Sequence, residues 1–161
     1  MSGLLTDDVI KVLSPPSEGA IFVVGVGNTL RFDDGVGSYI VSRLINAENG
    51  LHVFDAGQRP ERAIDKAVAL MPARTIILDA ADFNGDPGEA RIISDDMIPQ
   101  VVFSTHSFPL GAVSRFIEQD TGSPVYFIGI QAQSMSYDEG LSDPVKKTAD
   151  LIVKHLLQLP V

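Results

Sequence analysis

Residues 20–37 read AIFVVGVGNTLRFDDGVG, a continuous apolar run that leads into a glycine-rich loop with two aspartates. The run Ala20–Val26 is rich in valine and does not alternate with polar residues, which favours a strand covered on both faces in a mostly parallel sheet. Val36, Ile40, Val41, Leu44 and Ile45 then share one helical face. A buried strand followed by an amphipathic helix predicts the repeating unit of an α/β fold.

The rest of the chain repeats this alternation. Three more apolar runs predict buried strands: Leu51–Phe54, Arg74–Leu78 and Pro124–Ile130. A weaker run, Glu89–Ile93, follows a turn too short for a parallel crossover, so we expect an antiparallel edge strand there.

Three further helical stripes lie between or after these strands. They are Ile64, Ala67, Val68 and Met71 behind Pro60 and Glu61; Leu110, Val113, Phe116 and Ile117 behind Pro109; and Val145, Ala149, Ile152, Val153, Leu156 and Leu157 behind Asp143 and Pro144. The pattern predicts one α/β domain over residues 1–161. We expect a three-layer sandwich with helices on both faces of a twisted, mostly parallel five-stranded sheet that has one antiparallel edge strand.

The amino-acid composition limits which ligands, cysteine chemistry and cellular locations are possible for this chain. The net charge of −9 and the lack of a Lys/Arg cluster argue against a nucleic acid ligand, because a polyanion would be repelled. The 161 residues include no cysteine, which removes disulfides, thiolate metal sites and a cysteine nucleophile. No apolar run approaches the roughly 20 residues that span a bilayer, and residues 1–13 lack the features of a signal peptide. We therefore expect no membrane association and a cytoplasmic location.

Polar residues stand where the predicted strands end. Asp34, Asp55, Asp79 and Gln131 follow four of the apolar runs, and His106 precedes the third helical stripe. In open α/β sheets ligands bind outside the carboxyl ends of the strands, so we expect these side chains to converge at one rim. Each aspartate alone could equally be a helix cap or a turn former.

Three other polar residues have less support as members of the site. Asp82 either adds a carboxylate to the rim or shapes its own loop, and the sequence leaves both open. We interpret His52, at the start of a strand, and His155, late in the last helix, as structural.

The glycine loop does not predict a dinucleotide site. Leu30 stands where the third glycine of the Rossmann fingerprint belongs. Asp33 and Asp34 place negative charge where a pyrophosphate would need the helix N-terminus. No Gly-Lys-Ser/Thr sequence occurs, which excludes a Walker loop. We instead expect the glycines to make sharp turns that carry Asp34 to the rim.

Two carboxylates with one imidazole match a metal site. Such a set offers oxygen and nitrogen ligands to nickel, zinc or manganese and leaves room for water or substrate. No Gly-x-Ser-x-Gly elbow is present for a serine nucleophile. The ligand types do not decide between a resident ion and transient contact with a metal carried by a partner.

These motifs resemble the hydrogenase maturation endopeptidases of nickel–iron hydrogenases. The resemblance covers nearly the whole chain from Ile21 onward and rests on these segments: GVGNTL at 25–30 with DDGVG at 33–37, DAG at 55–57 with PE at 60–61, LDAAD at 78–82, PGE at 87–89, STH at 104–106 with PL at 109–110, and GIQ at 129–131. It implies a five-stranded twisted sheet between helices. It also implies an endopeptidase, classed with the aspartic-type enzymes, that removes a C-terminal extension from the hydrogenase large-subunit precursor after nickel is inserted.

The resemblance also implies the roles of particular residues. Asp34, Asp79 and His106 match the positions that contact nickel, which the precursor supplies, although another divalent cation would suit the same ligands. Asp55 would assist recognition or cleavage. Ala132 stands where a proline commonly follows Gly-Ile-Gln, which bears on the loop Ala132–Gly140 and so on precursor specificity. Two alternatives remain open from the sequence: a peptidase or amidase with its own zinc ion, and a checkpoint protein that binds nickel or the precursor without cutting it.

Overall fold

A computed structural model describes residues 5–47, 50–103 and 108–158 of the chain. The strands are β1 (Ile21–Val26), β2 (His52–Gly57), β3 (Arg74–Ala81), β4 (Ala90–Ile93) and β5 (Val125–Gln131). The helices are α1 (Asp7–Leu13), α2 (Val36–Leu44), α3 (Arg62–Leu70), α4 (Ile98–Val101), α5 (Leu110–Thr121) and α6 (Asp143–Leu157), and a 3-10 turn covers Phe32–Gly35.

The strands form one sheet in the order β2-β1-β3-β5-β4. β1 pairs in parallel with β2 and with β3, and β3 pairs in parallel with β5. β4 runs antiparallel to β5 at the edge of the sheet. The predicted five-stranded, mostly parallel sheet with one antiparallel edge strand is therefore confirmed.

Buried side chains lie on both faces of this sheet. Along β1, Ile21 and Val23 join a cluster with residues of α1, α2 and α6. Phe22 and Val24 join a second cluster with residues of α3, α4 and α5. Successive side chains of a strand point to opposite faces. Burial on both faces thus explains why the β1 run is continuously apolar.

Two glycines let the start of α2 lie directly against the sheet. A methyl group at Gly37 would lie 2.3 Å from the carbonyl oxygen of Leu78, and one at Gly25 would lie 2.4 Å from the carbonyl oxygen of Gly37. Neither glycine has a positive φ, and Gly25 lies within β1, so the expectation that Gly25 makes a turn was wrong. Gly27 does have one, at 135°, and it turns the chain as expected after β1.

Several predicted boundaries and faces were wrong. β2 was expected to be buried, but it is an edge strand with His52 and Asp55 exposed. Some apolar side chains of the predicted helical stripes are also exposed rather than buried: Ile45, Val68, Met71, Phe116 and Leu157. α1 and α4 were not predicted, although Val9, Val12 and Leu13 of α1 are buried.

No helix in the described ranges is both long enough and apolar enough to cross a membrane.

Candidate functional site

Asp34 and Asp79 both lie close to Gly27. Asp34 belongs to the 3-10 turn before α2, and its Oδ2 accepts a hydrogen bond from the Asn28 N–H at 3.0 Å. Asp79 lies in β3, and its Oδ1 accepts the Ala80 N–H at 2.8 Å. A methyl group at Gly27 would lie 1.9 Å from the carbonyl oxygen of Asp34 and 3.2 Å from Asp79 Oδ1. Glycine at this position therefore allows the two acidic residues to approach each other.

Asp34 and Asp79 are also buried, and both are 0% exposed. Burial of a carboxylate disfavours its charged form unless donors or a cation compensate the charge. The N–H groups of Asn28 and Ala80 provide part of this compensation for Asp34 and Asp79.

Asp55 occupies a different setting. It is exposed on β2, and its Oδ1 accepts the Ser38 hydroxyl at 2.7 Å and the Gly57 N–H at 3.0 Å. These two donors fix the direction of the carboxylate. Asp55 lines a cavity of about 260 Å³, called here the Asp55 cavity. Its walls are Thr29, Phe32, Gly35, Ser38, Tyr39, Ser42, Asp55, Gly140 and Leu141.

His106 lies outside the described residues, so its predicted position is not tested. The residues shortly before His106 are described by the structure. Val102 forms a bridge with Ala81 at the end of β3, and the Asp82 N–H donates to the Val101 carbonyl at 2.6 Å. Four residues before His106, the backbone therefore runs beside the end of the strand that carries Asp79.

Gln131 and Asp82 hold a loop together. Gln131 is buried, and its Oε1 accepts the N–H groups of Phe83 at 2.9 Å and Gly85 at 3.1 Å. Its Nε2 donates to Asp82 Oδ1 at 3.2 Å, and that oxygen also accepts the Asn84 N–H. The contacts of Asp82 therefore agree with the interpretation that it shapes its own loop. The side-chain amide of Gln131 forms its hydrogen bonds within the same loop.

Asp33 was not among the predicted site residues, and it is also 0% exposed. Its Oδ2 accepts the N–H groups of Gln133 at 2.8 Å and Ser134 at 3.0 Å. Its Oδ1 accepts the N–H of Ser142 at 2.8 Å, and the Ser142 hydroxyl also donates to this carboxylate. Asp33 thus ties the turn that carries Asp34 to residues 132–142, called here the 132–142 loop. Two adjacent aspartates were the only sequence signal.

Comparison with known proteins identifies the family. The model of the family HycI, hydrogenase maturation protease, matches residues 38–159. The chain belongs to the hydrogenase maturation proteases.

Individual relatives agree with the family match. The hydrogenase 3 maturation protease of Escherichia coli K12 is 33% identical over 81% of this chain and 85% of its own length. The crystal structure of the NiFe hydrogenase maturation protease HycI from Thermococcus kodakarensis KOD1 superposes with a TM-score of 0.78, at 29% identity, over 93% of this chain and 99% of that chain. The solution structure of the endopeptidase HycI from Escherichia coli gives 0.75 at 31% identity, over 86% and 89%.

The 132–142 loop of this maturation protease is held by more than Asp33. The Phe32 N–H donates to the Asp138 carbonyl at 2.9 Å. The Arg31 guanidinium donates to the Met135 carbonyl at 3.1 Å and stacks 4.8 Å from the centre of the Tyr137 ring. Despite Ala132 at its start, the loop is thus fixed to the residues that precede Asp34.

In the described parts of the maturation protease, no three acidic or histidine residues are grouped so that they could hold a metal ion. His106 lies outside those parts.

Tyr39, in the wall of the Asp55 cavity, connects α2 to α6. Its hydroxyl donates to Asp150 Oδ1 at 2.6 Å, and Lys146 Nζ donates to Asp150 Oδ2 at 3.1 Å. The hydrogen bond from Tyr39 is the main cause that lowers the pKa of the Asp150 carboxyl, and Lys146 contributes further. A carboxyl whose pKa is lowered on folding adds stability above its unfolded pKa and loses that contribution as the pH falls.

We expect Asp150→Asn to lower the free energy of unfolding at pH 7 by less than about 1 kcal/mol, because the pair is partly exposed to solvent. The difference from the parent should shrink as the pH falls below about 3.9, the ordinary pKa of aspartate. Urea unfolding of both proteins between pH 7 and pH 2.5 measures this. A difference that stays constant over the series would contradict the assignment.

Proposed function

We propose that this maturation protease is an endopeptidase that removes the C-terminal extension of a nickel–iron hydrogenase large-subunit precursor after nickel has been inserted. The observation that carries the proposal is that two buried acidic residues, Asp34 and Asp79, both lie close to Gly27. The Escherichia coli structure with a TM-score of 0.75 is described as an endopeptidase, which supports the reaction type. Because the substrate is a newly made precursor, we expect the reaction in the cytoplasm.

The nickel ion belongs to the substrate in this proposal. Asp34, Asp79 and His106 contact it, and the oxygen and nitrogen donors would also accept another divalent cation. A doubly positive ion beside Asp34 and Asp79 offsets the mutual repulsion of their charged forms. Because both carboxylates are buried in the free protein, we expect the groups that cover them to move when the loaded precursor binds.

The cleavage step needs a group that reaches the peptide bond. Asp55 is an exposed carboxylate, oriented by Ser38 and Gly57 and facing a cavity that can admit substrate. We propose that it orients the peptide or takes the proton of the attacking water, which would agree with the aspartic-type class. Nickel bound by the precursor then fixes the position of the scissile bond relative to Asp55.

Incubation with nickel-loaded and nickel-free precursor tests the proposed function. Intact-mass analysis should show a shortened large subunit only in the nickel-loaded sample. A full-length subunit that nevertheless binds the protein would reject the peptidase and favour a checkpoint role. Stoichiometric zinc in the purified protein, with cleavage that does not depend on nickel, would favour a peptidase with its own metal.

We expect Ser38→Ala to lower kcat/KM by about tenfold, because the Asp55 carboxylate loses one of the two donors that orient it, a hydrogen bond to a charged group. Ser42→Ala is the matched control, since Ser42 lines the same cavity and its hydroxyl donates only to the Tyr39 carbonyl. Rates on nickel-loaded precursor decide the question. Equal rates for both variants would show that the orientation of Asp55 does not matter.

A further inference from the structure

β2 has one edge to which no other strand is paired. It pairs with β1 on one side and ends the strand order on the other, within the part of the chain that the structure describes. In a parallel strand, the N–H and C=O groups of successive residues point alternately to the two neighbouring strands. An edge strand has one neighbour, so every second residue presents its N–H and C=O outward. An extended peptide can pair with such a row as an added strand.

This edge leads to the candidate site. β2 begins at the exposed His52 and carries Asp55 before it ends at Gly57. The Gly57 carbonyl accepts the Gly27 N–H at 2.8 Å, which places the end of β2 beside the glycine that Asp34 and Asp79 both approach. A peptide that runs along β2 therefore passes Asp55 and reaches the Asp55 cavity.

The two faces of β2 are covered by helices, whereas its outer edge is not paired with another strand in the part of the chain described. The guanidinium of Arg62 lies 5.3 Å and Nζ of Lys66 lies 4.9 Å from the centre of the Phe54 ring, so α3 covers that face. The opposite side of β2 packs against α2, where Ser38 bonds to Asp55. Backbone pairing along the edge is the contact that this arrangement leaves for a partner.

The other edge of the sheet is a poorer candidate. β4 is separated from β3, which carries Asp79, by the intervening β5. β4 has only four residues, and Arg91 on it forms an ion pair with Glu89 at 2.6 Å. Charged side chains on short edge strands typically prevent pairing with another chain.

We propose that the C-terminal segment of the precursor binds as an additional strand along β2, with a following side chain in the Asp55 cavity. This inference rests on the proposed function, because it names the path by which that substrate reaches Asp55. Main-chain hydrogen bonds give the segment its affinity, and the cavity selects one side chain. The precursor segment is therefore extended when it is cut.

A series of N-methylated peptides tests strand addition. The probe is a synthetic peptide of the precursor's C-terminal segment, used as a competitor in the cleavage reaction. Methylation of every second amide should weaken inhibition by about tenfold, because each removes an edge hydrogen bond and blocks close approach. Methylation of the intervening amides should have little effect. Equal effects at successive positions, or no effect at any position, would overturn the proposal.

Cross-linking locates the segment, and it is simple because the chain has no cysteine. The His52→Cys variant carries a benzophenone maleimide label at the start of β2. The Ser94→Cys variant is the matched control, since Ser94 is exposed and directly follows β4. Illumination with the precursor should give an adduct with the first variant at least about tenfold more abundant than with the second.

The same mixtures distinguish a failure of strand addition from a failure of the proposed function. Cleavage of the precursor without an adduct at position 52 would overturn strand addition and leave the proposed function standing. If the parent protein does not shorten the nickel-loaded precursor, the proposed function fails and this inference fails with it.

Discussion

The His106→Ala variant should leave nickel-loaded hydrogenase precursor at full length under conditions in which the parent protein shortens all of it. Removing one of three proposed nickel contacts leaves two carboxylates to hold the ion, and we expect kcat/KM to fall by roughly a hundredfold or more. The backbone before His106 runs beside the end of β3, which carries Asp79. Intact-mass analysis of the large subunit over time measures the loss.

The chain provides a matched control for this prediction in another histidine. His155 lies in the last turn of α6. His155→Ala should process the precursor at the parental rate. The His106→Ala variant should keep a free energy of unfolding within about 1 kcal/mol of the parent. Normal cleavage by that variant would remove His106 from the nickel contacts.

The Asp33→Ala variant should lose about 3 kcal/mol or more of its free energy of unfolding. The parent carboxylate is buried and accepts the N–H groups of Gln133, Ser134 and Ser142. Buried donors left without an acceptor each cost about 1–3 kcal/mol, and the loss is reduced only where water enters. Urea unfolding monitored by circular dichroism measures the difference.

Ser142→Ala is the control for Asp33→Ala. It removes only the hydroxyl donor and leaves the backbone N–H of residue 142 bonded to Asp33 Oδ1. Its cost should be about 1 kcal/mol. If Asp33→Ala is no less stable than Ser142→Ala, then the Asp33 carboxylate does not fix the 132–142 loop.

The sheet could be predicted because its central strands are apolar along their whole length. β1 and β3 are buried on both faces, and such strands are recognised from continuous runs of valine and isoleucine. β2 was assigned the same character from its short apolar start, but its place at the edge depends on strand order, which one sequence does not fix. α1 was missed because a short helix depends on tertiary packing for most of its stability.

The only part of the site that could be predicted was the part that depends on the parallel direction of neighbouring strands. Parallel neighbours β1 and β3 bring their carboxyl ends together, so the approach of Asp34 and Asp79 to Gly27 follows from topology. Their complete burial does not follow, because it depends on the side chains that cover them. The role of Asp33 was hidden because its partners lie about one hundred residues further along the chain.

The attachment of the 132–142 loop has a consequence for how this enzyme can diversify. Three of the groups that Asp33 binds are main-chain amides, which every amino acid except proline supplies. Mutations that alter the side chains between residues 135 and 140 can therefore accumulate without loosening the anchor. The surface of the loop can in this way change during evolution to fit a different precursor, while Asp33 and Asp34 stay the same.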